Sequence, residues 1–169
     1  MFRLNNSNGT RNEMLVIAST NYARKILNIA EELWVFINDG DMFKSNNHSG
    51  LFDKDAYAIR YNREFLKTAS IEKVMKLAFH ETFHAAQLES IVASYLGLKS
   101  ELFTEEEIEQ LKHEFKDENY SDEIGIYENL LSEQQAESFA QMVYEKLKKE
   151  EINLDKFINE YKSLYLNKD

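Results

Sequence analysis

Cysteine and proline are both absent from the 169 residues, and only five residues are glycine. Without cysteine there can be neither disulfides nor thiolate metal ligands. Without proline, helices can run long, and breaks must come from clusters of Gly, Asn, Asp and Ser. No run of about 18 apolar residues occurs, so no membrane-spanning helix is expected. The N-terminal stretch MFRLNNSNGTRNEM lacks the apolar block of about 7–15 residues that an export signal needs. A cytoplasmic location is the expectation. Acidic residues outnumber basic ones by 30 to 20, for a net charge of −10. Such a surface repels a phosphate backbone, so neither nucleic acid nor a membrane is an expected partner. The excess of glutamate serves solubility.

What is present is core-forming material. Hydrophobic residues make up 43% of the chain, with 11 Phe and 9 Tyr. That suffices for one compact domain over residues 1–169, is too little for two ordinary ones, and argues against disorder. No repeat or low-complexity segment is visible. Residues 1–10 are Asn-rich and are expected to fray.

Apolar residues at Leu15, Ile17/Ala18, Tyr22, Ile26, Ile29/Ala30 and Leu33 predict a first helix from about Asn12 to near Glu32. Trp34–Ile37 reads as a short strand. The stretch NDGDMFKSNNHSG reads as loop. In Asp55–Asn62, Tyr57, Ile59 and Tyr61 alternate with smaller or polar residues, the pattern of a strand with one buried face. A helix opens at Ser70 and runs through Leu88 or beyond. Gly97 punctuates, and Thr104 with Glu107 forms a capping box for a helix to about Phe115. A long helix is expected from about Asp122 to Lys149. A last helix, about Asn153 to Leu166, carries a core stripe of Leu154, Phe157, Ile158, Tyr161, Leu164 and Tyr165.

The informative segment is Leu77–Gln87, which contains His80-Glu81-Thr82-Phe83-His84 within an apolar helix. Four residues advance a helix by about 400° and roughly 6 Å, so the two imidazoles point the same way one turn apart. Both rings can then reach one metal ion at about 2.0–2.1 Å. Glu81 lies on the same side, placed to take a proton from a metal-bound water. Two His and a Glu in an apolar helix are costly without partners, and a metal would be one.

A zinc site of this kind needs a third protein ligand. A further His six residues after His84 is ruled out, because that position is Ser90. His113 is one remaining candidate, in an acidic helix. A carboxylate from the helix after Asp122 is the other. One stripe of that helix reads Ile126, Leu130, Glu133, Glu137, Ala140, Tyr144, Leu147, which places two acidic residues on a face expected to point inward.

His80-Glu81-Thr82-Phe83-His84 followed by Glu133-Gln134-Gln135-Ala136-Glu137-Ser138-Phe139-Ala140 resembles the gluzincin metallopeptidases. In many of these the second motif reads Glu-x-x-Ala-Asp-x-Phe/Tyr-Ala. Versions of it occur in membrane-embedded CAAX-type proteases and in small soluble minigluzincins. The resemblance covers roughly a third of the chain. It implies that Glu133 binds zinc and that Glu137, standing where Asp is usual, supports a zinc-binding histidine from behind. It also implies an antiparallel edge strand lining the cleft. Here that strand would be the segment containing Tyr57, Ala58 and Ile59, whose free backbone groups would bind an extended substrate. Residues 97–122, between the two motifs, are then a candidate lid.

The expected fold is α+β and mainly helical, zincin-like, with a small antiparallel sheet packed on the helix of His80 and His84. The expected function is that of a zinc metalloendopeptidase: Zn²⁺ held by His80, His84 and Glu133, with Glu81 as general base toward a peptide or protein substrate. Rival readings are a catalytically silent scaffold that binds a protein partner, a narrow regulatory protease of a mobile element, and a plain helical domain without metal. His48 reads as a loop residue. Tyr120, Tyr127, Tyr144 and His113 are candidates to stabilise an oxyanion. Arg60 and Arg63 read as surface ion-pair formers. The sequence is silent on oligomeric state.

Overall fold

The computed structural model describes residues 10–29, 32–43, 48–116 and 129–162. Helix α1, Arg11–Ile26, opens with a capping box in which Thr10 and Glu13 bond each other's backbone N–H. It stops short of Glu32 because Asn28 takes a left-handed backbone, φ 52°, and turns the chain. Strand β1, Trp34–Asn38, follows, then a 3-10 turn at Gly40–Met42, β2 at Gly50–Asp53 and β3 at Ala58–Asn62. Helix α2, Arg63–Thr68, leads into the long α3, Ile71–Tyr95. Ser70 caps α3 by accepting the Lys73 N–H. Helix α4, Glu105–Glu114, has the Thr104/Glu107 capping box that its spacing predicts. Helices α5, Leu131–Lys149, and α6, Leu154–Tyr161, complete the described chain. The first turns expected for α5 lie partly outside the described residues, as do Leu164 and Tyr165.

The described structure is mainly helical with one small sheet, an α+β arrangement. The sheet is mixed rather than antiparallel, which corrects the expectation. Its order is β1-β3-β2, with Val35 parallel to Ile59 and Phe52 antiparallel to Ile59. The parallel pair is β1 with β3; it arises because a further strand, β2, intervenes between them in sequence, and its first residue, Gly50, reads as a breaker. In the fold that glycine is a close approach. A Cβ there would meet the Arg60 carbonyl oxygen at 3.0 Å and the Tyr61 ring at 3.2 Å. The missing side chain lets β2 lie against β3.

Helix α3 is the central element, contacted by α1, α5, α4 and β2. Leu15 and Ala18 of α1, Val74, Ala78 and Phe79 of α3, Val143 of α5 and Phe157 of α6 share one core with Ile59 and Tyr61 of β3. Each large apolar side chain buried there contributes about 1.5–3 kcal/mol. The Tyr61 hydroxyl is satisfied inside this core by Thr20 Oγ1 at 2.7 Å. A second cluster holds α4 to α3 and α5 through Phe83, Ile91, Phe103, Ile108, Leu111 and Ala136. No helix of the described residues is long and apolar enough to cross a membrane.

Candidate metal centre

Ala78, Phe79, Ala85 and Ala86 commit their faces of α3 to the core. That orientation leaves His80 and His84, one turn apart, toward the first turns of α5. Their ring centroids are 4.9 Å apart and nearly perpendicular. The two Nε2 atoms are 3.2 Å apart. Glu133 reaches both from α5, with Oε2 3.0 Å from His80 Nε2 and Oε1 3.2 Å from His84 Nε2. One ligand atom from each of the three residues lies within 4.8 Å of the others. Among the described residues no other three His, Cys, Asp or Glu converge in this way.

The chemistry of this donor set fits a divalent cation. His84 Nδ1 lies 2.8 Å from Gln87 Oε1, an acceptor, so Nδ1 carries a proton, and when the ring gives up its other proton it is Nε2 that presents the lone pair. His80 Nδ1 lies 3.6 Å from Glu137 Oε2, which leaves its Nε2 on the inner side. Two imidazole nitrogens and a carboxylate oxygen thus face one another, a set that suits zinc. Titration follows the same demand for positive charge. Burial pulls the His84 imidazolium down, but hydrogen bonding and charge from Glu133 outweigh it, and the group is pushed up to about 9. Burial raises the Glu133 carboxyl, yet the hydrogen bonds from His80 and His84 prevail and hold it far below the usual carboxylate range.

The cluster opens into a cleft of about 540 Å³. Its walls include His48, Ser49 and Gly50 at the start of β2, and Lys73, Lys76 and Leu77 of α3. Glu81 lines the same cleft and is only 7% exposed. Burial raises its carboxyl above the ordinary value, Glu133 adds to this, and His80 and His84 oppose it. No hydrogen bond from a described residue stabilises its charged form. Asn62 pins the rim: its Nδ2 donates to the His48 carbonyl at 2.8 Å, and its N–H donates to the Ser49 carbonyl at 2.9 Å. Its Oδ1 accepts from Glu64 N–H and so caps α2 as well.

Several expectations are corrected. Ala58 and Ile59 do not form an edge. They are fully buried in the central strand, paired on both sides. Tyr57 precedes β3 at φ 47°, with its ring against Phe52 and its hydroxyl donating to Glu89 Oε1. Alternation placed Ile59 and Tyr61 on a buried face, but Ala58 and Asn62 on the opposite face are buried too, because β3 is the central strand, and alternation could not report the order of strands. The edge strand beside the cleft is β2, which pairs on one side only among the described residues.

The inward stripe of α5 is also shifted. Its buried residues are Ser132, Ala136, Ala140, Val143 and Leu147, because the small alanines let α5 approach α3. Glu133 sits at the border with its side chain 12% exposed, whereas Glu137 is 67% exposed. Glu137 therefore stands beside His80 on the cleft wall, outside the converging group.

His113 lies in the last turn of α4, outside the cluster and the cleft. Tyr144 packs under the Lys76 ammonium and does not line the cleft. Tyr120 and Tyr127 lie outside the described residues. Arg60 pairs with Asp53, and Arg63 with Glu13 and Asp39. Within the segment expected as a lid, residues 97–116 contribute nothing to the cleft wall. They pack on α3 and α5 instead, through Phe103, Ile108 and Leu111. Residues 117–122 lie outside the described residues.

Sequence reasoning missed two participants. His48, read as a loop residue, lines the cleft and electrostatically favours the charged form of Glu81. No local signal marks it, since the Asn62 contact that positions it is 14 residues away. Gln87 stands one turn past His84, a spacing that could have identified it as a partner of the imidazole. Compared with known proteins, the chain matches no family model, no curated protein and no solved structure.

Proposed function

We propose that this chain is a zinc-dependent metallopeptidase of gluzincin type, cutting peptide bonds within a peptide or protein substrate. The observation that carries the reading is the convergence of His80, His84 and Glu133 within 4.8 Å at the wall of a cleft that also contains Glu81. A zinc ion bound by these three residues would supply Lewis acidity, lowering the pKa of a bound water from about 15.7 toward 7 and polarising the peptide carbonyl.

The chain's own residues account for the rest. Glu81 accepts the proton of the attacking water and later delivers it to the leaving amine. Its burial, which lifts the carboxyl above its usual range, brings its basicity closer to that needed for both transfers. Glu137, 3.6 Å from His80 Nδ1, favours the proton on that nitrogen and so keeps Nε2 free for the metal. An extended peptide would lie along the open side of β2, whose first residue is part of the cleft wall. A cytoplasmic location accompanies this reading.

The test is elemental analysis of untagged protein purified under zinc-replete conditions, together with hydrolysis of an unstructured peptide library. The expected result is about one zinc per chain and cleavage that a chelator stops and zinc restores. Protein that takes up no metal, or a loaded protein that cleaves no peptide in the library, overturns the proposal.

A further inference from the structure

We propose that α4, none of whose residues lines the cleft, orients the metal site from behind, with Glu107 and Glu114 acting through Gln87 and the first turn of α5. This inference rests on the zinc reading above. Glu107 and Glu114 are seven residues apart, about two turns, and so share one face of α4. Each carboxylate reaches α5 by a different route.

The first route is a chain of side-chain amides. Glu107, which only accepts when ionised, takes the Gln135 Nε2–H at Oε1, 3.1 Å. Gln135 must therefore turn its Oε1 the other way, where it accepts from Gln87 Nε2 at 3.1 Å. Gln87 Nε2 gives its second hydrogen to the Ser132 carbonyl, also at 3.1 Å. With both hydrogens committed, Gln87 has only its oxygen left for His84 Nδ1, at 2.8 Å. Reversing any amide would set oxygen against oxygen or hydrogen against hydrogen around a glutamine that is 0% exposed. The polarity of a carboxylate on α4 is thus passed to an imidazole on α3. In the neutral ring that zinc requires, it specifies the proton on Nδ1 and the lone pair on Nε2.

The second route is through the backbone. Leu130, the N-cap residue of α5, provides no side-chain cap. Glu114 supplies one from outside, accepting Leu131 N–H at 2.9 Å and Ser132 N–H at 2.8 Å. A carboxylate at a helix N-terminus satisfies orphan donors and opposes the helix dipole. The turn held in this way carries both the Ser132 carbonyl that orients Gln87 and the neighbouring Glu133. Gln110 Nε2 donates to Glu114 Oε1 at 3.0 Å and steadies the carboxylate. Gln87, Glu107 and Glu114 are accordingly positioning residues. They touch neither substrate nor metal.

Two readouts test this: zinc affinity by competition with a chelator, and the exchange-protected proton signal of His84 Nδ1–H in metal-free protein by NMR. Gln87→Leu should lose the protected signal and weaken zinc about 10–100-fold, the range for outer partners of a ligating histidine. Glu107→Ala should reduce the signal and weaken zinc by roughly 3–10-fold, toward the lower end of that range. Glu107→Gln leaves one acceptor oxygen for two donors, Gln135 Nε2–H and Thr104 N–H, so both readouts should fall between wild type and Glu107→Ala. Thr104→Ala removes the helix cap but leaves the amide chain in place, so it should change neither.

If Glu107→Ala matches wild type in both readouts, or if Thr104→Ala perturbs them as much, the proposal is overturned. Wild-type protein that takes no zinc yet shows a protected His84 signal dependent on Glu107 would overturn the metallopeptidase reading and leave the link from α4 to His84 standing. Binding of zinc with no dependence on Gln87 or Glu107 would do the reverse.

Discussion

His80 and His84 present their Nε2 atoms to each other at 3.2 Å, and the Glu133 carboxylate closes on both, with Oε2 at 3.0 Å from His80 and Oε1 at 3.2 Å from His84. Lone pairs facing one another at that distance need positive charge among them. Protons or a divalent ion can provide it, and the two compete for the same lone pairs.

Glu81→Gln should retain zinc at wild-type stoichiometry and lower turnover by about 10²–10⁴-fold, the range for loss of a general base. Thermal stability should not fall, because the carboxylate is desolvated in the folded state. Metal content, kcat and the melting temperature measured on one preparation check this. Wild-type kcat in the variant would remove Glu81 from the mechanism.

The two acidic residues of α5 should separate in metal binding. Glu133→Gln removes a group that approaches both imidazoles and should weaken zinc by more than the roughly 10–100-fold typical of outer partners. Glu137→Gln alters a side chain that is 67% exposed and 3.6 Å from His80 Nδ1, so its cost should be no more than about 10-fold. Chelator competition on both variants decides the order. A larger loss for Glu137→Gln would exchange the two roles.

Acid–base behaviour in metal-free protein has a definite sign. The His84 pKa is raised from 6.5 to about 9 on folding, by Glu133 against the opposing effect of burial. Its contribution to stability is complete below about pH 6.5 and is lost as pH rises through about 9. The Glu133 carboxyl moves the other way, so its contribution is present above about pH 4.5 and is lost only in stronger acid. Urea unfolding should therefore show Glu133→Gln to be destabilising near pH 7 and much less so near pH 10. Zinc must displace the His84 proton, so its apparent affinity should rise from about pH 7 to 9. A flat profile would show that no proton is released.

Asn62→Ala should separate substrate binding from metal binding. The variant loses the α2 cap and leaves the His48 carbonyl without its side-chain donor. A cap costs typically about 1 kcal/mol. Zinc affinity should hold, since the ligands come from α3 and α5, while KM rises as the rim at His48 and Ser49 loosens. Denaturant titration and steady-state kinetics check the two effects. Unchanged KM would mean that this rim does not contact substrate.

Much of the architecture is legible one element at a time. Ser70 and Thr104 mark helix starts because a hydroxyl at an N-cap satisfies a donor a few residues away. The segment from Trp34 to Ile37 announces a strand through its aromatic and β-branched residues. β2 is not legible in this way. Its four residues carry no period, and Gly50 has structural meaning only against Arg60 and Tyr61.

The chain by itself determined that His80 and His84 lie one turn apart on one face, with Glu81 to the same side, because helix geometry is local and its period is fixed. It likewise determined that no thiolate could join them. Which carboxylate meets those imidazoles was decided only when α5 docked on α3. The rotation of α5 depends on where Ala136 and Ala140 find room, and that is a property of the packed interface. The same holds for the strand at the cleft and for the amide chain from Glu107 to His84, whose contacts join residues far apart in sequence. Such contacts are set by shape and by hydrogen-bond satisfaction in three dimensions, and no local pattern encodes them.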